Sequence, residues 1–284
     1  MTLKQLKIIS DSTCDLSKDL IEKYEIGIVP LFVTIGESTY FDGVDLDTTK
    51  MYEEVEKKNI LPKTAAASPG SFIEIFQKYL NQGYQILYVG IGSKFSATFQ
   101  SATLAKQDLD SNDIFLVDSH NLSSGSGLLV LKACSLRDKG MSALKIQQKL
   151  IELVPKVRSQ FVIDTLEYLY KGGRLNALSN FMGTMLKIKP IIKVVEGAMA
   201  VGKKARGHVR HGIDLMVMDL EHLKDQVDSE FCMITHSFAD EVVDYTIDKI
   251  NSVLSFQHLI ETHAGCVISS HCGKGTIGIL YLER

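Results

Sequence analysis

Tryptophan is absent from the 284-residue chain and proline occurs only five times, so no proline-rich or low-complexity spacer divides it. Long apolar runs are missing as well. Nothing approaches the roughly 20 residues that a membrane-spanning helix needs, and the opening MTLKQLKIISDST has no apolar stretch of the signal-peptide kind. A cytoplasmic location is the expectation. Basic excess is also lacking: 31 Lys and Arg against 34 Asp and Glu leave a formal charge of −3. That balance gives no positive field for nucleic acid or for stable residence on an anionic membrane. The five cysteines, Cys14, Cys134, Cys232, Cys266 and Cys272, are odd in number and form no CxxC pair, which fits reduced thiols. No internal repeat is visible.

What is present is an average globular composition, 45% hydrophobic and 23% charged, in a chain long enough for two modest cores. In the first half, short β-branched runs at 6–10, 28–35, 85–91 and 113–118 read as strands. They alternate with helical patterns, the signature of a parallel sheet with crossover helices. Ser68-Pro69 opens one helix, on which Phe72, Phe76, Tyr79 and Leu80 follow helical spacing. Others are expected from Ser96 and over 126–140. Beyond Pro155 the pattern changes to strands at 157–163, 231–235 and 277–282, a hairpin turning through Gly197, and helices near 207–223 and 240–254. These patterns predict two domains, an α/β domain over 1–155 and an α+β domain over 156–284.

Open parallel sheets bind ligands beyond the carboxyl ends of their strands. Four polar clusters follow strands here: Asp11-Ser12-Thr13, Thr64 with Ser68-Pro69-Gly70, Gly92 to Ser96, and Asp118-Ser119. One such hydroxyl is ordinarily a helix cap, but several beside helix N-termini would cradle an anion. The stretch GCVISSHCGKGTIG, 265–278, reads as a glycine-bracketed loop that presents His271. Zinc ligation by His263, Cys266, His271 and Cys272 is weakened by the adjacency of the last two and the absence of paired ligand spacing. Gly90-x-Gly92 lacks the third glycine of a dinucleotide fingerprint, and Gly273-Lys274-Gly275-Thr276 is not a phosphate-binding loop of the Walker type. A hydrolase assembled from Ser96, His271 and Asp118 stays open, though without a G-x-S-x-G elbow. Asp42 and Asp45 show no catalytic or metal partner, and the basic residues Lys171, Arg174, Lys203, Lys204, Arg206 and Arg210 read first as solvated surface.

Taken in order, these motifs resemble those of the DegV family, the fatty-acid-binding subunits of bacterial fatty acid kinases, over nearly the whole chain. Asp11 to Leu16 is similar to the family's DST-x-DL, Asp42 to Asp45 to its DGVD, and Thr64 with Ser68-Pro69-Gly70 to its T-S-Q-P-S-P. Ser93 to Thr98 resembles S-x-x-S-G-T, and Lys171 to Arg174 resembles K-G-G-R. Ala65, Ala66, Ala67, Ala97 and Lys274 depart from the pattern. The resemblance implies a long-chain fatty acid in a buried apolar tunnel, its carboxylate near Thr64, Ser96 and His271, with Ser93, Arg174 and Arg206 as secondary or partner contacts. Arg206 aligns with a family arginine linked to phosphotransfer. It further implies a substrate carrier without catalysis, cofactor or metal of its own, partnered by a separate kinase catalytic subunit and touching membranes only transiently. An acyl-ester hydrolase using Ser96 and His271, or a lipid sensor without a kinase, are the alternatives.

Overall fold

In the computed structural model, which describes residues 4–174 and 188–284, the run LKIISD forms β1 (Leu6–Asp11), whose last four residues are buried. The strands that follow in the first part are β2 (Gly27–Val29), β3 (Phe32–Ile35), β4 (Ser38–Phe41), β5 (Lys63–Ala65), β6 (Gln85–Gly90) and β7 (Ile114–Asp118). A parallel sheet runs in the order β2-β1-β6-β7. A small antiparallel sheet, β4-β3-β5, stands apart from it. The single strand expected over 28–35 is cut in two. Pro30 offers no N–H to a ladder, and the Leu31 N–H turns aside to donate to the Ser12 hydroxyl at 3.1 Å. Hence β2 stays in the large sheet and β3 leaves for the small one.

Six helices of this part are α1 (Lys18–Lys23), α2 (Thr48–Lys58), α3 (Pro69–Asn81), α4 (Thr98–Leu109), α5 (Ser124–Asp138) and α6 (Ala143–Leu153). Ser68 caps α3 by accepting the Ser71 N–H at 3.1 Å, Pro69 occupies its first turn, and Phe72 and Phe76 enter the core. Instead of opening at Ser96, α4 opens at Thr98, because the Ser96 hydroxyl accepts the Thr98 N–H at 3.2 Å and so stands before the first turn. The expected helix over 126–140 runs from Ser124 to Asp138 as α5. It is buried through most of its length because it lies between the two large sheets, touching β1 and β6 on one side.

The second part holds β8 (Val157–Val162), β9 (Ile188–Val195), β10 (Ala198–Arg206), β11 (Val227–Ser237), β12 (His258–His263) and β13 (Thr276–Glu283). They form one mixed sheet in the order β10-β9-β8-β13-β11-β12, antiparallel except for the parallel β11–β12 pair. The β9–β10 hairpin turns at Glu196-Gly197, both with positive φ, as the sequence predicts. Its helices are α7 (Glu167–Lys171), α8 (Val209–Leu223), α9 (Val243–Asn251) and α10 (Cys266–Cys272). The last replaces the loop expected around His271. One apolar cluster joins Ile8, Leu87 and Leu128 of the first part to Met233 and Leu280 of the second, so the two sheets grip a shared core through α5. No helix among the described residues is long and apolar enough to cross a membrane.

Candidate ligand cavity

The carboxyl ends of the parallel strands deliver Leu31 after β2, Ile91, Phe95 and Ser96 after β6, and Leu122 after β7 to one place. The second part closes over them with Phe161 of β8, Leu169 of α7, Met199 of β10, Arg174, and the face of α10 that carries Val267, Ile268 and His271. Thr64, Ala65 and Ala66 of the small sheet complete the wall. The cavity is partly open and small, with a volume of about 70 Å³. Among the described residues its wall is apolar apart from Thr64, Ser96, His271 and Arg174.

Three of those polar groups form a graded set. His271 Nε2 lies 2.8 Å from Thr64 Oγ1, while its Nδ1 is buried with no hydrogen-bond partner. Burial, and then the nearby Arg174 guanidinium, pull its pKa down to about 4, so the ring is neutral at pH 7. Its one proton belongs on Nε2, because a bare buried lone pair at Nδ1 is cheaper than an orphaned N–H. Nε2–H therefore donates to Thr64, and the threonine keeps its own hydroxyl proton to donate into the cavity. Ser96 Oγ lies 2.8 Å from Thr98 Oγ1 and accepts the Thr98 N–H. Either hydroxyl of this pair can be the donor; when Thr98 donates, Ser96 keeps its proton for the cavity. Two hydroxyl donors backed by an imidazole and flanked by an arginine suit a carboxylate, which accepts only.

The glycine after Lys171 explains itself here. A Cβ on Gly172 would sit 2.3 Å from His271 Nδ1 and 2.9 Å from the Tyr168 carbonyl, so only glycine lets this backbone lie against the imidazole.

The remaining sequence expectations distribute differently. Ser93 is exposed, lies outside the cavity wall, and gives its N–H to the Asp118 carboxylate. Arg206, the last residue of β10, is exposed and also outside that wall. The Ser96–His271–Asp118 triad does not assemble: His271 pairs with Thr64, and Asp118 accepts the N–H groups of Ser93 and His120. Asp11-Ser12-Thr13 is a structural network rather than an anion cradle. Asp11 accepts from the Tyr88 hydroxyl at 2.7 Å, the Ile91 N–H at 2.9 Å, and both the N–H and hydroxyl of Thr13. Burial raises its pKa and those donors oppose the rise.

Sequence reasoning missed the part played by Asp15 and Asp42, which hold the N-terminus of α10. Asp15 accepts the Gly265 N–H and Asp42 the Cys266 N–H, each at 2.8 Å. Burial pushes both carboxyls up, Asp15 the further, and the second oxygen of Asp42 is buried without a partner. Both acids belong to motifs quoted above, but the residues they cap lie more than 200 positions away.

Metal-ligand types come together elsewhere. Among the described residues the group is His236, Glu261 and His263, on the neighbouring strands β11 and β12, rather than His263 with Cys266, His271 and Cys272. His236 Nδ1 accepts the Ala239 N–H, which puts the ring proton on Nε2, where it donates to Glu261 at 3.2 Å. That tautomer closes the lone pair a metal would need.

With the fold and cavity in view, comparison with known proteins is direct. A family model described as "Uncharacterised protein, DegV family" matches residues 5–284, and a DegV domain-containing protein of Clostridium acetobutylicum is 35% identical over 99% of this chain and 100% of its own. The chain belongs to the DegV family. Among solved structures it is similar to a DegV family protein from Thermus thermophilus described under fatty acid binding. That match has 27% identity, a TM-score of 0.92, and covers 99% of this chain and 100% of the other. It is also similar to DegV of Bacillus subtilis, described as a fatty acid binding protein, with 27% identity, a TM-score of 0.86, and coverage of 99% and 100%. A stearic acid-binding protein from Eubacterium ventriosum matches with 26% identity, a TM-score of 0.88, and coverage of 98% of both chains.

Proposed function

We propose that this protein binds one long-chain fatty acid, holds its carboxylate against Thr64, Ser96 and His271, and presents it to a separate kinase subunit. The carrying observation is that these three polar side chains, distant in sequence, meet with Arg174 on the wall of a cavity whose other described lining is apolar. The relatives described as fatty-acid-binding support the choice of ligand. The tail supplies affinity: at about 0.8 kcal/mol per buried methylene, some fifteen methylenes give on the order of 10 kcal/mol before the costs of association. A cavity of about 70 Å³ admits that tail only if the apolar side chains around it part, so ligand and wall rearrange together. Affinity of that order lets the protein take an acyl chain from a membrane in a transient encounter and carry it through the cytoplasm.

The carrier reading assigns no catalysis, cofactor or metal to the chain itself. A carboxylate oxygen held by neutral donors attacks the γ-phosphorus of ATP on the partner. The new O–P bond forms as the bond to the β,γ-bridging oxygen breaks, and ADP leaves with that electron pair. The closed cavity then shields the acyl phosphate from water. In this reading residues 1–155 and 156–284 act as two domains, and the acyl chain lies between them. Native mass spectrometry of the purified protein, followed by denaturing lipid extraction, tests the first step. A stoichiometric fatty acid is expected; a lipid-free protein that after delipidation does not bind palmitate, or one that hydrolyses acyl esters in a Ser96-dependent way, overturns it.

A further inference from the structure

The second sheet has a gap in it. The β8–β9 ladder stops at Gln160 opposite Lys193, although β8 starts at Val157 and β9 runs on to Val195. Val157, Arg158 and Ser159 therefore have no partner on that side. Beyond the gap the β9–β10 turn rests on the first part, where Lys94 Nζ donates to the Glu196 carbonyl at 2.8 Å. The gap belongs to a partly open cleft of about 1110 Å³ that shares no lining residue with the small cavity. Pockets of roughly 300–1,000 Å³ take drug-sized ligands, so a small molecule fits here whole. Leu116, Ile151, Val154 and Val195 give the cleft apolar sides, and two of them, Ile151 and Val195, are more than half exposed.

The unmatched polar atoms of this cleft are mostly acceptors. Gln160 lines it and is 4% exposed. Its Nε2 donates to the Met216 carbonyl at 2.9 Å, which fixes the amide's orientation and leaves Oε1 buried without a partner. Such an orphaned carbonyl calls for a donor from outside the chain. The cations of the wall are already committed, Arg158 to Glu283 at 2.5 Å and Lys193 to Asp219 at 2.7 Å. Its acids Asp118 and Glu196 are not. Asp118 accepts the N–H groups of Ser93 and His120 and has the His120 ring 3.5 Å away, while Lys94 reaches only the backbone carbonyl of Glu196. Among the described residues no Lys or Arg pairs with either carboxylate. His222 Nδ1 lies 2.7 Å from the Met218 carbonyl, so the neutral ring holds its proton there and offers a lone pair at Nε2. We propose that the cleft binds a small organic cation of the aliphatic polyamine class. Its ammonium groups donate to Asp118, Glu196 and Gln160 Oε1, and its methylenes lie along the apolar sides. Because Asp118 belongs to the first part and Glu196 to the second, the ligand bridges the two across the gap. The inference is independent of the fatty-acid reading.

Spermidine is the probe, and 1,8-octanediol is a neutral chain of similar length. In calorimetric titrations of the full chain, spermidine is expected to bind saturably with one molecule per chain, at least tenfold more tightly than the diol. Asp118→Asn and Glu196→Gln keep the shape of each side chain and remove its charge, and each is expected to weaken spermidine at least fivefold. Glu74→Gln removes an exposed acid of α3, a helix that contributes nothing to the cleft, and is expected to change affinity less than twofold. Amide NMR shifts on adding spermidine are expected at 118–121, 157–160 and 194–197. Equal binding of diol and spermidine overturns the assignment to a cation. An equal loss in Glu74→Gln, or binding without a fixed stoichiometry, reduces the effect to ionic adsorption on an acidic surface and overturns the site. Shifts confined to residues outside the cleft overturn it too.

Discussion

In the proposed site, Thr64 and His271 show how little of a carboxylate's surroundings needs to be charged. The imidazole is neutral, and its work is to occupy the lone pair of Thr64 so that the threonine proton points into the cavity. Thr64→Val and Ser96→Ala each remove one donor from a buried carboxylate and should weaken palmitate binding by roughly 1–3 kcal/mol. Their effects should be less than additive, because the carboxylate settles on whichever donor remains; calorimetry on delipidated variants checks this, and unchanged affinity in both contradicts the site. The imidazole also makes a stability prediction. Its folded pKa falls from 6.5 to about 4, so between those values the unfolded chain binds the proton that the folded chain refuses. Stability from this residue is complete above about pH 6.5 and is lost as pH falls toward 4. At roughly 1.4 kcal/mol per pH unit it amounts to at most about 3.5 kcal/mol. Urea unfolding of delipidated protein at pH 7 and pH 4.5 should therefore show a larger acid loss for wild type than for His271→Gln.

At the scale of the element, α10 is the piece on which the site turns. It has seven residues, too few to persist alone, and it is held by Asp15 and Asp42 at one end and by the core contacts of Cys266 and Val267 along its length. Asp42→Ala leaves the Cys266 N–H buried without an acceptor and should cost about 1–3 kcal/mol, whereas Asp42→Asn keeps an acceptor oxygen and should cost less. The carboxyl's raised pKa fixes the sign of the pH dependence. The fold favours its protonated form, so its contribution falls as pH rises from the unfolded value of about 3.9 through the folded one. The neutral asparagine escapes that fall, and its stability relative to wild type should improve across that window, as thermal or urea unfolding would measure. This element also marks the limit of what the sequence discloses. Short β-branched runs and the Ser68-Pro69 cap announce the parallel sheet and α3, because their causes are local. The cysteine- and glycine-rich stretch around His271 carries no helical period, and its capping acids lie 250 and 224 residues away. The break at Pro30 and the need for glycine at 172 are tertiary facts of the same kind. Thr64, Ser96 and His271 were legible as a set because hydroxyls at strand ends stand out and their motifs resemble a known family, while Ser93 faces outward for want of any sequence mark of its orientation.

Across the whole molecule, the proposed function divides the labour between the cavity, for the ligand, and the basic residues, for the partner. Arg174 borders the cavity; Arg206 ends an outer strand of the second sheet, exposed and away from the cavity wall. An exposed arginine in that position does not act on the buried headgroup, but it presents a planar set of charged donors to an incoming surface or to phosphoryl oxygens. If it serves only long-range attraction, its removal should slow association modestly, and added salt should erase the difference between variant and wild type. If it docks directly against the kinase, truncation loses charge-assisted hydrogen bonds whose effect salt does not remove. We expect the second outcome. Arg206→Ala, reconstituted with a cognate kinase, ATP and palmitate, should lower acyl phosphate formation at least tenfold, at both low and moderate salt, while palmitate occupancy stays near stoichiometric. Unchanged turnover would return Arg206 to the solvated surface, and an equal fall in palmitate affinity would mean that the second sheet transmits its loss to the cavity.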